Sequence, residues 1–168
     1  MFKKLLGSVA IVGGSVFIGK NLSDRLKKRK DSLNAFHTAL VMLEGEIAFS
    51  ANSIDYALKN ISNTTEISEC LNYMADELKN IGIRKAWNNG IIKFKDKLCL
   101  TDNDVKILQT LSSELGITDR ENQIKNIKYV LSILEVAEND ANEKFNSHSG
   151  LYRNISVSVG LAFSILLM

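Results

Sequence analysis

Apolar residues recur every three or four positions through most of this chain. In the first such stretch they stand at Leu33, Phe36, Leu40, Leu43 and Ile47. This spacing places them on one face of an α-helix. Similar stripes follow, no segment alternates as a strand does, and the chain contains no proline to break a helix. The pattern predicts an all-α protein, an antiparallel bundle of about six helices.

Near its two ends the chain has long, uncharged and mainly apolar runs instead of this spacing of three or four. No charged residue occurs between Leu5 and Gly19, or between Ile155 and Met168. Both runs fall short of the roughly 20 residues that cross a typical bilayer, but flanking lysines can reach the headgroups. The alternatives are a signal peptide, for which "VFIGKNLSD" offers a poor cleavage site, and a buried core helix. We predict an N-terminal and a C-terminal membrane helix.

Charge is distributed unevenly along the chain. Residues 1–30 hold eight Lys/Arg and one Asp, a net charge of +7, whereas residues 31–168 hold 13 Lys/Arg and 18 Asp/Glu, a net charge of −5. Since basic flanks stay in the cytoplasm, the body of the protein is predicted to be cytosolic. The basic residues after the first apolar run are predicted to contact anionic lipid headgroups: Lys20, Arg25, Lys27, Lys28, Arg29 and Lys30. No aromatic residue is interleaved with them, which argues against nucleic acid.

These observations divide the chain into four predicted parts. They are an N-terminal membrane helix (1–19), a basic juxtamembrane helix (20–30), a cytosolic helical bundle (31–150) and a C-terminal membrane span (151–168).

The stretch "SELGITDREN" (Ser113–Asn122) has the composition of a joint between two helices. Gly116 stands where a left-handed residue ends a helix, and Ile117 is expected to pack back as a hydrophobic staple. Thr118 and Glu121 have the spacing of a capping box, and the negative charge of Asp119 is favourable at the N-terminus of the next helix. A phosphate-binding loop needs more glycines and usually a lysine. A second capping box is predicted at Thr101 and Asp104 in "TDNDVKILQTLSSELG".

Few side chains suggest chemistry. His37 and His148 are isolated in the pattern, and Cys70 and Cys99 are too few for a metal site or a disulfide framework. Trp87 is expected in the core, with an exposed docking site as the alternative. We find no catalytic constellation, and predict neither enzymatic activity nor a cofactor or metal.

The segment "LQTLSSELGITDRENQIKNIKYVLSILEVAENDANEKF" resembles the signature region of the stage III sporulation protein AB family. Gly116, Asp119 and Gln123 match its "LG…D…Q" pattern. The stretch "ALVMLEGEIAFS", with Glu44 and Glu46, is similar to the family's "LE.EI" helix, and "AWNNGI", with Trp87, to its tryptophan segment. The resemblance covers essentially the whole chain. It departs at "NSIDYALKNI", which lacks the family's usual proline, and in the short closing span.

The resemblance implies a platform-like scaffold rather than an enzyme. The family is similar to the inner-membrane platform protein of type II secretion and type IV pilus machines. The implied location is the mother cell membrane facing the forespore. The implied partners are a secretion-type ATPase and other membrane proteins of the same operon, and a homo-oligomer is left open. The alternative is a membrane-tethered helical sensor or receptor unrelated to secretion.

Overall fold

A computed structural model describes the backbone of residues 2–50 and 53–167, and the side chains of residues 13–50, 53–148, 150, 158 and 159. This part of the chain is all-α, as predicted, and contains no strand. Its six helices are α1 (Phe2–Phe49), α2 (Ile54–Ser62), α3 (Ser68–Ile81), α4 (Ile83–Phe94), α5 (Asp102–Thr110) and α6 (Arg120–Leu167). A 3₁₀ turn, Leu111–Ser113, follows α5.

The chain divides into two compact units. One comprises residues 31–139 and is called the bundle below; the other comprises residues 1–30 with 140–168 and is called the terminal unit. Helices α1 and α6 each contribute to both units without interruption. The predicted limits at residues 19, 30 and 150 therefore fall inside continuous helices, and residues 20–30 are not a separate helix.

The core of the bundle follows the apolar stripes closely. Leu33, Phe36, Leu40 and Leu43 of α1 are buried as predicted, whereas Ile47 is half-buried. In α6 the buried residues are Ile127, Val130, Leu134, Ala137 and Ala141. Large, fully buried side chains are also found in α2 to α5 and, for Ile67, just before α3: Leu58, Ile61, Ile67, Leu71, Met74, Trp87, Ile91 and Leu108.

Local chemistry sets most helix ends. The predicted capping box is confirmed, since the backbone N–H of Asp104 donates to Thr101 Oγ1 (3.2 Å) and that of Thr101 donates to Asp104 Oδ2 (2.8 Å). Gly82, at φ +77°, separates α3 from α4. α4 ends at Phe94, and Leu98 lies buried in the loop beyond.

No helix of the described residues combines the length and apolarity needed to cross a membrane. The predicted spans, 1–19 and 151–168, lie mostly outside the residues whose side chains are described. Both spans stay predictions.

Candidate functional site

The region singled out by the sequence is the turn between the 3₁₀ segment and α6, called the joint below (residues 114–123). Gly116 lies at φ +71°, the left-handed conformation predicted for it. A Cβ atom there would stand 3.0 Å from Ile54 Cδ1 and 3.2 Å from Ile83 Cγ2. Both the backbone and the neighbours therefore favour glycine. Ile117 does not form the predicted staple, because it is 61% exposed.

Asp119 caps the N-terminus of α6, which begins at Arg120. Its Oδ1 accepts from the backbone N–H of Asn122 (2.9 Å) and its Oδ2 from the Asn122 side chain (2.8 Å). The Asn122 backbone N–H, helped by the side-chain amide, holds the pKa of Asp119 below its usual value. The predicted capping box of Thr118 and Glu121 is wrong. The Thr118 hydroxyl donates back to Glu114 O (3.2 Å), which leaves the cap to the next residue.

Gln123 closes the joint with both ends of its amide. Its Oε1 accepts from the Gly116 N–H (3.0 Å), and its Nε2 donates to Thr118 O (2.7 Å). One turn later, Asn126 Nδ2 donates to Leu111 O (3.2 Å). Side chains of α6 thus bind the backbone that precedes it and fix how the helix begins.

Two arginines near this end of the bundle bind carbonyl groups of other segments, and the sequence analysis missed both. Arg120 Nη1 donates to Ala48 O (3.2 Å) and its Nη2 lies 3.4 Å from Ser50 O, so it caps the end of α1. Arg84 Nη2 donates to Ser113 O (3.2 Å) after the 3₁₀ turn. Nothing local in the sequence indicates these bonds, because the partners lie 29 to 72 residues apart.

Trp87 belongs to the core. Its side chain is 1% exposed, and its indole N–H donates to Leu108 O at 2.8 Å. The prediction that Trp87 lies in the core is confirmed, and the alternative of an exposed docking residue is wrong.

Glu44 and Glu46 are half-buried on opposite sides of α1. Lys128 Nζ of α6 lies 3.5 Å from Glu44 Oε1, and Asn60 Nδ2 of α2 lies 3.3 Å from Glu46 Oε1. Each glutamate therefore connects α1 to a neighbouring helix. Their role in binding a partner remains a prediction.

His37 is not isolated, contrary to the sequence analysis. Its Nδ1 lies 3.1 Å from Glu138 Oε1, across the contact between α1 and α6. Desolvation raises the pKa of Glu138, and the nearby His37 opposes that rise. The pairing joins residues far apart in the sequence, which a stripe analysis of each helix alone does not detect.

The basic residues predicted to contact lipid headgroups differ in exposure within the terminal unit. Arg29 is 7% exposed and its Nη1 lies 3.0 Å from Asp140 Oδ2. The Lys30 ammonium lies 5.2 Å from the centre of the Phe145 ring. In contrast, Lys20, Arg25 and Lys27 are exposed.

The described residues hold no group of three or more His, Cys, Asp or Glu side chains that could bind a metal ion. Both cysteines are free, and burial raises the pKa of the Cys70 thiol to about 12. Cys70 is therefore a poor nucleophile at neutral pH. The hydrogen bonds of Gln123 and Asn126 hold the backbone that precedes α6 to the first turns of that helix.

Comparison with known proteins agrees with this geometry. The profile of the family described as stage III sporulation protein AB matches residues 4–168. The chain belongs to this family. The stage III sporulation protein AB of Bacillus subtilis (strain 168) is 28% identical over 169 residues, which cover 98% of this chain and 99% of that protein.

A solved structure of a stage III sporulation protein AB has the same fold. It superposes with a TM-score of 0.65 at 28% identity, over 70% of this chain and 96% of that one. Membership of the stage III sporulation protein AB family assigns this chain a role in sporulation.

Proposed function

We propose that this protein is a non-enzymatic, membrane-anchored scaffold of a secretion-like channel between mother cell and forespore. In this proposal its bundle lies in the cytosol of the mother cell and docks a secretion-type ATPase onto the membrane proteins of the same operon. The observation that carries the proposal is the continuity of α1 and α6, each of which runs from the bundle into one of the two uncharged runs, residues 5–19 and 155–168.

The arrangement of side chains favours a scaffold over an enzyme. The polar residues of the joint bind backbone groups, and Trp87 fills the core. None of these groups is paired as a nucleophile with an activating base, the arrangement that covalent catalysis uses. The protein then acts through its surface and by holding its partners at fixed positions.

The distribution of basic residues supports a cytosolic bundle. The exposed Lys20, Arg25 and Lys27 follow the first apolar run directly, and positive residues near a span remain on the cytoplasmic side. These side chains also suit anionic headgroups, each contributing about 1 kcal/mol near the membrane surface.

The alternative, a tethered sensor or receptor, places the bundle outside the cytosol, so orientation separates the two. The chain is expressed in vegetative cells, where it lies in the outer cell membrane, and intact spheroplasts are treated with protease before and after that membrane is opened with detergent. A scaffold with a cytosolic bundle is cleaved only after detergent. Cleavage of the bundle in intact spheroplasts would contradict the scaffold and favour the receptor.

A further inference from the structure

Segments that are distant in the sequence meet at one end of the bundle, called the far end below. Arg120 of the joint donates to the carbonyl of Ala48, in the last turn of α1 (3.2 Å). A Cβ atom on Gly116 would stand 3.0 Å from Ile54 Cδ1, so the joint also lies directly against the first turn of α2. The far end therefore comprises three neighbouring segments, residues 48–50, 53–56 and 114–123.

The far end carries three exposed apolar side chains. Phe49 is 93% exposed, Ile117 is 61% exposed and Tyr56 is 56% exposed. Phe49 is the most exposed apolar side chain of the described bundle. Single apolar residues are ordinary on a protein surface, but several that share one area mark a contact with another molecule.

Phe49 is displayed from a fixed backbone, although it is the last residue of its helix. Arg120 Nη1 donates to the carbonyl of Ala48 (3.2 Å), and its Nη2 lies 3.4 Å from the carbonyl of Ser50. These carbonyls stand on either side of Phe49. Helix ends commonly fray, and the two contacts of Arg120 oppose fraying at this one.

Ile117 is displayed in the same way. Gln123 accepts from the N–H of Gly116 (3.0 Å) and donates to the carbonyl of Thr118 (2.7 Å), the residues before and after Ile117. Ile117 is thus exposed on a turn whose backbone is bound on both sides. A surface that is fixed before binding loses less conformational freedom when a partner covers it.

The position of the far end within the bundle restricts what can cover it. Phe49 lies about 27 Å along α1 from residue 31, at 1.5 Å per residue. α6 runs in the opposite direction, because its first residue contacts the end of α1 and Glu138 lies 3.1 Å from His37. Both helices therefore continue out of the bundle from the end opposite to the far end.

Anchoring through residues 5–19 and 155–168 turns the far end away from the membrane. Lipid then cannot cover it. A second copy in the same membrane stands beside the first with its own far end pointing the same way, so the two far ends cannot meet. A soluble protein of the cytosol can reach this surface without hindrance.

We infer that the far end is the docking surface for a soluble cytosolic partner, which is the ATPase in the function proposed above. The partner covers Phe49, Tyr56 and Ile117 with an apolar surface of its own. This inference rests on the proposed anchoring and orientation, and it names the part of the bundle that the ATPase contacts.

Recruitment to vesicles tests the inference. The full-length chain is reconstituted with the bundle outward, and binding of the ATPase of the same operon is measured by flotation over a range of ATPase concentrations. Phe49→Ala and Ile117→Ala should each weaken binding on the order of tenfold, as truncation of an interface anchor does. Tyr129→Ala and Val136→Ala should leave binding unchanged. They are matched controls, because these side chains are 58% and 69% exposed on α6, outside the far end.

Two negative results have different meanings. If the unmodified chain recruits the ATPase and both far-end variants recruit it equally well, the far end is not the docking surface, while the proposed function stands. If the unmodified chain recruits no ATPase, the proposed function fails and this inference fails with it. Urea unfolding followed by Trp87 fluorescence should be the same for all variants, because the substituted side chains are exposed.

Photo-crosslinking provides a readout that keeps an aromatic side chain in place. A benzoylphenylalanine in place of Phe49 should crosslink to the ATPase on illumination, and the same group in place of Tyr129 should not. A crosslink from position 129 without one from position 49 would place the ATPase on the side of α6 and overturn the inference.

Discussion

Gln123→Leu should destabilise the bundle by about 1–3 kcal/mol. The substitution removes two hydrogen bonds of 3.0 and 2.7 Å, one to the N–H of Gly116 and one to the carbonyl of Thr118. Each bond of this kind contributes roughly 0.5–1.5 kcal/mol net, and more where the partner is left without water. Thr118 is half-buried, so the upper part of this range applies to its carbonyl.

Trp87 provides the assay, because it is the single tryptophan of the chain and lies in the bundle core. Its fluorescence during urea unfolding of the full-length chain reports the bundle alone. With a slope of about 1–3 kcal/mol per molar urea, the midpoint should fall by about 1 M. Lys125→Leu, on the exposed side of α6, is the matched control and should change stability by less than about 0.5 kcal/mol.

One result of Gln123→Leu would contradict a structural role for the joint. If Gln123→Leu unfolds like the unmodified chain and yet abolishes sporulation in cells, the joint is a direct contact site for a partner. The reasoning from its two hydrogen bonds would then be refuted.

Four further predictions concern single residues. Trp87→Ala should cost about 3–5 kcal/mol, measured by circular dichroism in urea; a loss below 1 kcal/mol would contradict its core role. Asp119 has a lowered pKa in the folded chain, so its carboxylate stabilises the fold above pH 4, and this contribution is lost as the pH falls through the folded pKa. In Asp119→Asn, the free energy of unfolding should therefore change less with pH on the acid side. Cys70, with its pKa near 12, should resist thiol reagents at pH 8 until the bundle is unfolded. Because Cys99 lies at φ +54°, Cys99→Gly should stabilise the bundle by about 1 kcal/mol, whereas Cys99→Ala should not.

The features that could be predicted from the sequence are the local ones. The apolar stripe of α1, the capping box of Thr101 and Asp104, and the positive φ of Gly116 each depend on residues within one or two turns. The two hydrogen bonds of the Gln123 amide are local as well, because their partners lie only five and seven residues before it.

The features that were missed depend on tertiary contact or on a choice between close competitors. His37 meets Glu138, and Arg120 meets the end of α1, only after the chain has folded. At the start of α6, Thr118 and Asp119 are both good capping residues. The Thr118 hydroxyl is already bound to Glu114 O, four residues earlier, and this competing local bond leaves the cap to Asp119.

Recruitment of the ATPase tests the central proposal most directly. The full-length chain is reconstituted in vesicles containing anionic lipid, mixed with the ATPase of the same operon, floated through a density gradient and crosslinked. The scaffold account predicts that the ATPase floats with vesicles that carry the chain, does not float with empty vesicles, and crosslinks to residues 31–139. An ATPase that stays at the bottom of the gradient, although the bundle faces outward on the vesicles, would contradict it.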